Sequence, residues 1–344
     1  MLLVFLTLLG SPILNAGVIQ PSTVAVTVVD AIAGYPLANA DVIDLASGQH
    51  RFTDEQGQAR LTWPANGALR LRVREVGYQP LQRTLDRANT SDGVATFALS
   101  KVAYVISPVK ETSRCVTTDD SASLALSVSV LDQLRQGAEK YDEFRLLYPF
   151  EVSMERRTAA VPKDGPIKRI TVNKEKYSSE DVTSAYRPGD IIQYKGTAFL
   201  VPILVLSSLA DSVFWDHHCF IARGIEPYLD TRVIRLEFSP SADVHGPDWE
   251  GDAFIDSATS LLRRINFRLV NPKPRSYPKK LDGYTTFSMP SPYIVVPDTT
   301  GAEWWYRDAD DKGSWGQPEY LQMIYMQELK YRKEKPPENQ PLKQ

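Results

Sequence analysis

Three features of the sequence predict a mainly β protein built in two parts. Turn residues recur at short intervals through residues 30–78: Gly34-Tyr35-Pro36, Ser47-Gly48, Asp54-Glu55-Gln56-Gly57 and Asn66-Gly67. Between them, short runs alternate apolar with polar, as in Ala40-Asp41-Val42-Ile43-Asp44-Leu45, Ala59-Arg60-Leu61-Thr62-Trp63 and Leu69-Arg70-Leu71-Arg72-Val73. A period of two buries one face of a strand and wets the other, and short strands at this spacing make an antiparallel sandwich or barrel. Finally, 344 residues are long for a single core, and 24 prolines favour loop-rich β architecture over helical bundles. With 43% hydrophobic residues, each part can bury a core of its own.

The chain opens on MLLVFLTLLGSPILNAGV, apolar to Leu9, then Gly10-Ser11-Pro12 and the small residues Asn15-Ala16-Gly17. This has the form of a secretory signal peptide over residues 1–17, although no basic residue precedes the apolar run. It is shorter than the roughly 20 residues needed to cross a bilayer, and no transmembrane helix is expected in the mature chain. The β-branched run Val24-Ala25-Val26-Thr27-Val28-Val29 starts the first strand. Residues 79–85 and 94–99 add two more around the turn Asn89-Thr90-Ser91-Asp92-Gly93, giving about seven strands in residues 18–100.

The blocks Val28-Val29-Asp30, Gly34-Tyr35-Pro36-Leu37, Ala40-Asp41-Val42, Thr53-Asp54-Glu55-Gln56-Gly57 and Val76-Gly77-Tyr78, in that order, resemble the carboxypeptidase regulatory-like domain over residues 22–100. The resemblance implies a transthyretin-like seven-stranded β-sandwich serving as an accessory module, with no catalytic residues to carry over. Residues 101–120 read as a linker containing Ser107-Pro108 and Cys115. A helix is expected over 121–141, with Leu124, Val128, Leu131, Leu134 and Ala138 at helical spacing. Strands follow at 144–157, 167–173, 191–197 and 198–201, then a short apolar helix over 202–210. Further strands are expected at 219–222, 231–238 and 252–256, and at 261–270, which the turn 257–260 joins to its predecessor in a hairpin. The last are at 285–289, 293–296 and 303–306.

The succession Phe214-Trp215-Asp216-His217-His218-Cys219-Phe220, residues 234–240, Gly251-Asp252-Ala253-Phe254-Ile255-Asp256 and residues 262–271 resembles an exported domain of bacterial outer-membrane-associated proteins. Its strand order is similar to the antiparallel half-barrels of lipoprotein carriers. That resemblance implies a second β-rich domain over 121–306. EYLQMIYMQELKYRK, residues 319–333, reads as a C-terminal helix, and the charged, Pro-rich end as a disordered tail, together residues 307–344.

Few residues suggest chemistry. His217, His218 and His245 with Asp216 and Asp248 could hold a hydrolytic metal, but neighbours in a strand face opposite ways, so His217 and His218 cannot both serve one ion without a bend. Asp308, Asp310, Lys312, Gly313 and Glu319 copy positions of a Ca²⁺ loop, with a lysine where an oxygen ligand belongs. Trp304-Trp305-Tyr306 could stack on a sugar. No Gly-x-Ser-x-Gly elbow is present, and four histidines leave few bases. A net charge of −3, spread through the chain, argues against nucleic acid. Cys115 and Cys219, the only cysteines, are expected to form a structural disulfide in an exported protein. Closing a loop of about 100 residues, the bridge is worth up to about 4.7 kcal/mol in the chain-entropy treatment.

The expectation is therefore an exported, non-enzymatic protein of the periplasm or outer membrane, without cofactor or catalytic residues. Its sandwich would be an interaction module, and its second domain would bind an envelope protein, an apolar ligand or a glycan. The competing expectations are a metal-dependent hydrolase using His217 or His218 with His245, and a carbohydrate-binding accessory module.

Overall fold

A computed structural model describes residues 23–332, apart from 66–67, 88–89, 91–92, 103–120, 182–185, 196–197, 201–203, 273–277, 292–293, 308 and 310–314. The chain is mainly β, with 54% of the described residues in strands and 13% in helix. The expected signal segment, most of the 101–120 linker, the heart of the Ca²⁺-like loop and the tail from 333 lie outside the described residues.

Seven strands form the sandwich. One sheet has the order β4 (Gln58–Thr62), β1 (Thr23–Asp30), β7 (Val94–Leu99); the other runs β3 (His50–Phe52), β2 (Asp41–Asp44), β5 (Ala68–Arg74), β6 (Leu81–Asp86). Alternation decides which side chains meet: Val24, Val26 and Val28 of β1 and Leu69, Leu71 and Val73 of β5 are buried in one core with Phe97 and Trp63. Two details depart from expectation. The three-residue strand β3 carried no alternation to mark it. The pairing of β1 with β7 is parallel, because the last strand crosses back beside the first instead of returning through a hairpin. Gly57, at φ +69°, turns the β3–β4 connection where a Cβ would lie 2.5 Å from the Val28 carbonyl oxygen, so only glycine fits.

The second part is a nine-stranded antiparallel sheet that does not close into a barrel. From β12 (His218–Tyr228) it runs as a meander through β13 (Thr231–Pro240), β14 (Asp248–Asp256), β15 (Leu262–Val270), β16 (Lys280–Ser291), β17 (Ile294–Trp305) and β18 (Tyr320–Tyr331). The earlier hairpin β8 (Phe150–Ala160)–β9 (Thr171–Ser178) completes the sheet at the β18 side. A row of small and branched residues crosses one face, with Leu236 opposite Ala253, Ala253 opposite Ile265, Ile265 opposite Thr285 and Thr285 opposite Thr300. The opposite face is wet and carries ion pairs such as Arg235–Asp252 and Arg268–Glu250. A short hairpin, β10 (Gln193–Lys195) with β11 (Ala198–Leu200), stands apart from the sheet.

The apolar face is covered by α1 (Ser121–Leu147), α2 (Leu206–Leu209) and α3 (Ser212–Asp216). The long helix α1 continues to Leu147, past the expected end, because Phe144 still has a buried place beside Phe150; Pro149, which cannot continue a helix, then ends it. Its sheet-facing stripe is Leu126, Val130, Leu134 and Ala138, whereas Val128 of the expected stripe is exposed. The expected C-terminal helix at 319–333 is instead strand β18. Helix-forming residues there are overridden because β17 and β8 flank the segment, taking up its backbone on both sides, and Ile324 is buried.

Candidate functional site

The helix α1 is a wall shared by the two parts. Its second face, turned away from the sheet, is polar yet buried: Gln133, Gln136 and Lys140 are all under 9% exposed. It meets the end of β5 and the turn after it. The Gly77 amide donates to Gln133 Oε1 at 2.6 Å, and Lys140 Nζ donates to both Glu75 carboxylate oxygens at 2.9 Å. Arg74 forks between Asp41 within the sandwich and Glu139 on the helix. His50 lies between Asp41 and Glu143, with Nδ1 3.4 Å from Glu143 Oε2. These contacts fix the sandwich against the helix through a desolvated ionic seam. Burial would raise the Asp41 carboxyl, but the hydrogen bond from His50 and the Arg74 charge hold it below the usual range. For Glu75 burial wins, and its carboxyl is raised despite Lys140.

Beside this seam lies a cavity of about 390 Å³, in the range of small-molecule sites. The nine-stranded sheet does not hold it alone. The sandwich contributes Tyr35, Glu75, Tyr78 and Lys101, α1 contributes Leu134, Gly137 and Lys140, α2 contributes Leu206, and the sheet contributes Leu262, Met289, Ile294 and Val295. The loop 257–260 closes one wall. Asp256 holds it by accepting from the amides of Ala258 and Thr259 at 3.0 and 2.9 Å, from the Thr231 hydroxyl and from Arg263. Although burial pulls the other way, those donors lower the Asp256 pKa to about 2, so the loop anchor stays charged throughout the physiological range.

Gly137 is the informative residue of the wall. A mid-helix glycine costs about 1 kcal/mol relative to alanine. Here the backbone is ordinary helix, and a Cβ would meet nothing nearer than Leu206 Cδ2 at 3.6 Å, a normal contact. Packing does not require the glycine; its effect is to leave space open on the cavity side of α1.

The sandwich-side lining mixes Pro36, Leu37, Ala38 and Val76 with the polar Tyr35, Glu75, Tyr78 and Lys101. Tyr78 donates its hydroxyl to Asp30 Oδ2 at 3.1 Å and shares a 2.9 Å hydrogen bond with the Tyr35 hydroxyl. Burial, with the bonds to Tyr35 and Asp30, raises the Tyr78 hydroxyl pKa, keeping it protonated. Lys101 Nζ is 5.8 and 5.9 Å from the Tyr35 and Tyr78 ring centres, and its contact with the Tyr35 hydroxyl raises its pKa.

Two of the histidines singled out in the sequence, His217 and His218, are held against backbone carbonyls. His217 ends α3, its Nδ1 2.8 Å from the Val213 carbonyl. His218 begins β12, buried and stacked on Phe214 with ring centres 3.7 Å apart. Both of its ring nitrogens lie against carbonyls, those of Phe214 at 3.0 Å and Trp249 at 2.9 Å, while Asp248 stands 3.6 Å away. Burial lowers the His218 pKa against the pull of Asp248. Asp248 in turn accepts from Tyr186 at 2.6 Å and from the Gly189 amide at 2.9 Å. His245 is exposed on the loop before β14. Among the described residues no three His, Cys, Asp or Glu side chains stand together as a metal site. Glu319, the closing ligand expected of the Ca²⁺ loop, accepts from the Tyr306 and Arg307 amides and pairs with Arg307 at 2.7 Å, while Asp308, Asp310, Lys312 and Gly313 lie outside the described residues. Trp304 and Trp305 are buried, which removes them as a sugar platform. Cys219 is buried near the start of β12, and its expected partner Cys115 lies outside the described residues.

No protein-family model matches the chain, and no curated protein matches it. Among solved structures it is similar to a domain described as an outer-membrane lipoprotein-sorting protein of Vibrio parahaemolyticus, at 12% identity and a TM-score of 0.33 over 58% of this chain and 93% of that one. It is similar to a DUF1329 family protein of Desulfovibrio piger, at 12% identity and 0.32 over 59% and 93%. A membrane-associated protein of unknown function from Bacteroides fragilis is matched at 13% identity and 0.18 over 89% and 97%. Scores this low transfer neither ligand nor partner. Among the described residues, no helix is long and apolar enough to cross a membrane.

Proposed function

We propose that this is a non-enzymatic binding protein of the cell envelope, whose ligand site is the cavity between sandwich, α1 and sheet. The observation that carries the reading is Gly137: a residue that costs helix stability, with room for a side chain, facing a cavity lined by Leu134, Leu262, Ile294 and Val295. Such walls favour an apolar ligand by about 0.8 kcal/mol per buried methylene. The sandwich then acts as one jaw of the site and as an accessory module fixed by the ionic seam, the role that its resemblance to the carboxypeptidase regulatory-like domain implies.

The test is uptake of the apolar fluorescent probe N-phenyl-1-naphthylamine. The expected result is saturable binding at one site, weakened at least about tenfold, or 1.4 kcal/mol, by Gly137→Leu. Gly137→Ala should instead raise stability by about 1 kcal/mol, read as the urea midpoint. A wild-type protein that takes up no probe, or a Gly137→Leu variant that binds it unchanged, would sink the reading.

Export is part of the same proposal and rests on the form of residues 1–17. It carries the Cys115–Cys219 bridge with it, which peptide mapping of periplasmic protein without reductant should show as one linked pair. Free thiols at both positions would argue against an oxidising compartment.

A further inference from the structure

The cavity lining is mostly apolar, with Leu262, Ile294 and Val295 from the sheet, Leu206 from α2 and Pro36 and Val76 from the sandwich; at the sandwich end it also presents Tyr35 and Lys101. Lys140 is already bound to Glu75 by both carboxylate oxygens, which leaves Lys101 as the cation whose charge the lining does not cancel. Asp30, behind this end and absent from the lining, accepts from the amides of Ile32 and Ala33 at 2.9 and 2.7 Å and from Tyr78; its charge is felt at Lys101 from behind the tyrosine, without a direct ion pair. Lys101 itself is exposed at the rim, and its contact with one tyrosine hydroxyl leaves further N–H donors. A ligand that satisfies both ends is apolar along its length and carries negative charge at one tip.

We propose that the cavity takes a linear amphiphile with a carboxylate head, the head at Lys101 and Tyr35 and the alkyl chain against Leu134, Ile294 and Val295. This rests on the cavity being the ligand site, and adds to it the ligand's class and orientation. Because Lys101 is exposed, its contribution is screened by salt and is read at low ionic strength.

The experiment compares dodecanoate, dodecanol and dodecyltrimethylammonium as competitors of N-phenyl-1-naphthylamine, with the wild-type protein and Lys101→Gln. Dodecanoate is expected to displace the probe about tenfold more tightly than dodecanol. In Lys101→Gln that advantage should fall below about threefold while dodecanol is unchanged, with an unaltered melting temperature showing that the fold is intact. Equal affinity of acid and alcohol, or indifference of dodecanoate to Lys101→Gln, would overturn the head-group assignment and leave the apolar site standing. Preference for the ammonium amphiphile would overturn the sign of the charge. Failure of all three to displace a probe that Gly137→Leu still excludes would overturn the linear chain; a probe indifferent to Gly137→Leu would remove the site beneath the proposal.

Discussion

Arg74→Met should destabilise the protein by about 3–5 kcal/mol, lowering its melting temperature by roughly 4–7 °C. Arg74 and Asp41 are 5% and 1% exposed at their side chains, so removing the guanidinium leaves a carboxylate that solvent cannot reach with His50 as its remaining partner. Glu139, the other arm of the fork, is 45% exposed and adds little by itself. The acid limb of stability follows the same pair. The Asp41 pKa is held below its ordinary 3.8, so its contribution is complete above that value and is lost as pH falls through the lowered one. In Arg74→Met this acid-dependent loss should shrink, since less stabilisation of the charged form remains to be titrated away. Urea midpoints at several pH values between 2 and 7 check both statements. A variant within 1 kcal/mol of wild type would show that His50 alone satisfies Asp41.

Lys140→Met should cost about 2–3 kcal/mol, and the double variant Glu75→Leu with Lys140→Met should recover most of it. The single change leaves Glu75, 17% exposed at its side chain, without its counter-ion; the double change replaces a desolvated pair with apolar volume, which is often neutral or favourable. Here the pH sign is reversed. Burial raises the Glu75 pKa above 4.5, so the protonated form fits the native site better. Its contribution is full below that value and falls as pH rises through the raised pKa. Losing Lys140 raises that pKa further, so the deficit of the single variant should be small in acid and grow towards neutrality. A deficit that is flat with pH would mean that the methylene stem of Lys140, and not its charge, carries the effect.

How far the sequence was legible depends on how local each feature is. The sandwich could be read because its turns and its period-two strands are properties of a few adjacent residues, and Gly57 and Gly77 sit at positive φ as their turn positions require. The residues around 320–331 misled for the complementary reason: Leu, Met, Gln, Glu and Lys favour helix in isolation, and only the partners at β8 and β17 make the segment a strand. The polar stripe Gln133–Gln136–Lys140 reads as a wetted helix face, yet it is the seam against the sandwich. The cavity was not legible at all, since its walls come from residues near 35, 75, 101, 134, 206, 262 and 294. One signal was available: Gly137 inside an otherwise strong helix, with charged residues at 139, 140 and 143 around it.

The pairing of β8 with β18 sets the order of assembly. Phe150 lies opposite Tyr331, so the first strand of the large sheet finds its neighbour only in the last. Until that strand emerges during synthesis, β8 has a single hairpin partner, and the chain must close a very long loop before the sheet gains its final contacts. A partly made chain therefore cannot complete this part of the fold. Folding of the large sheet is deferred until the chain has been made as far as β18.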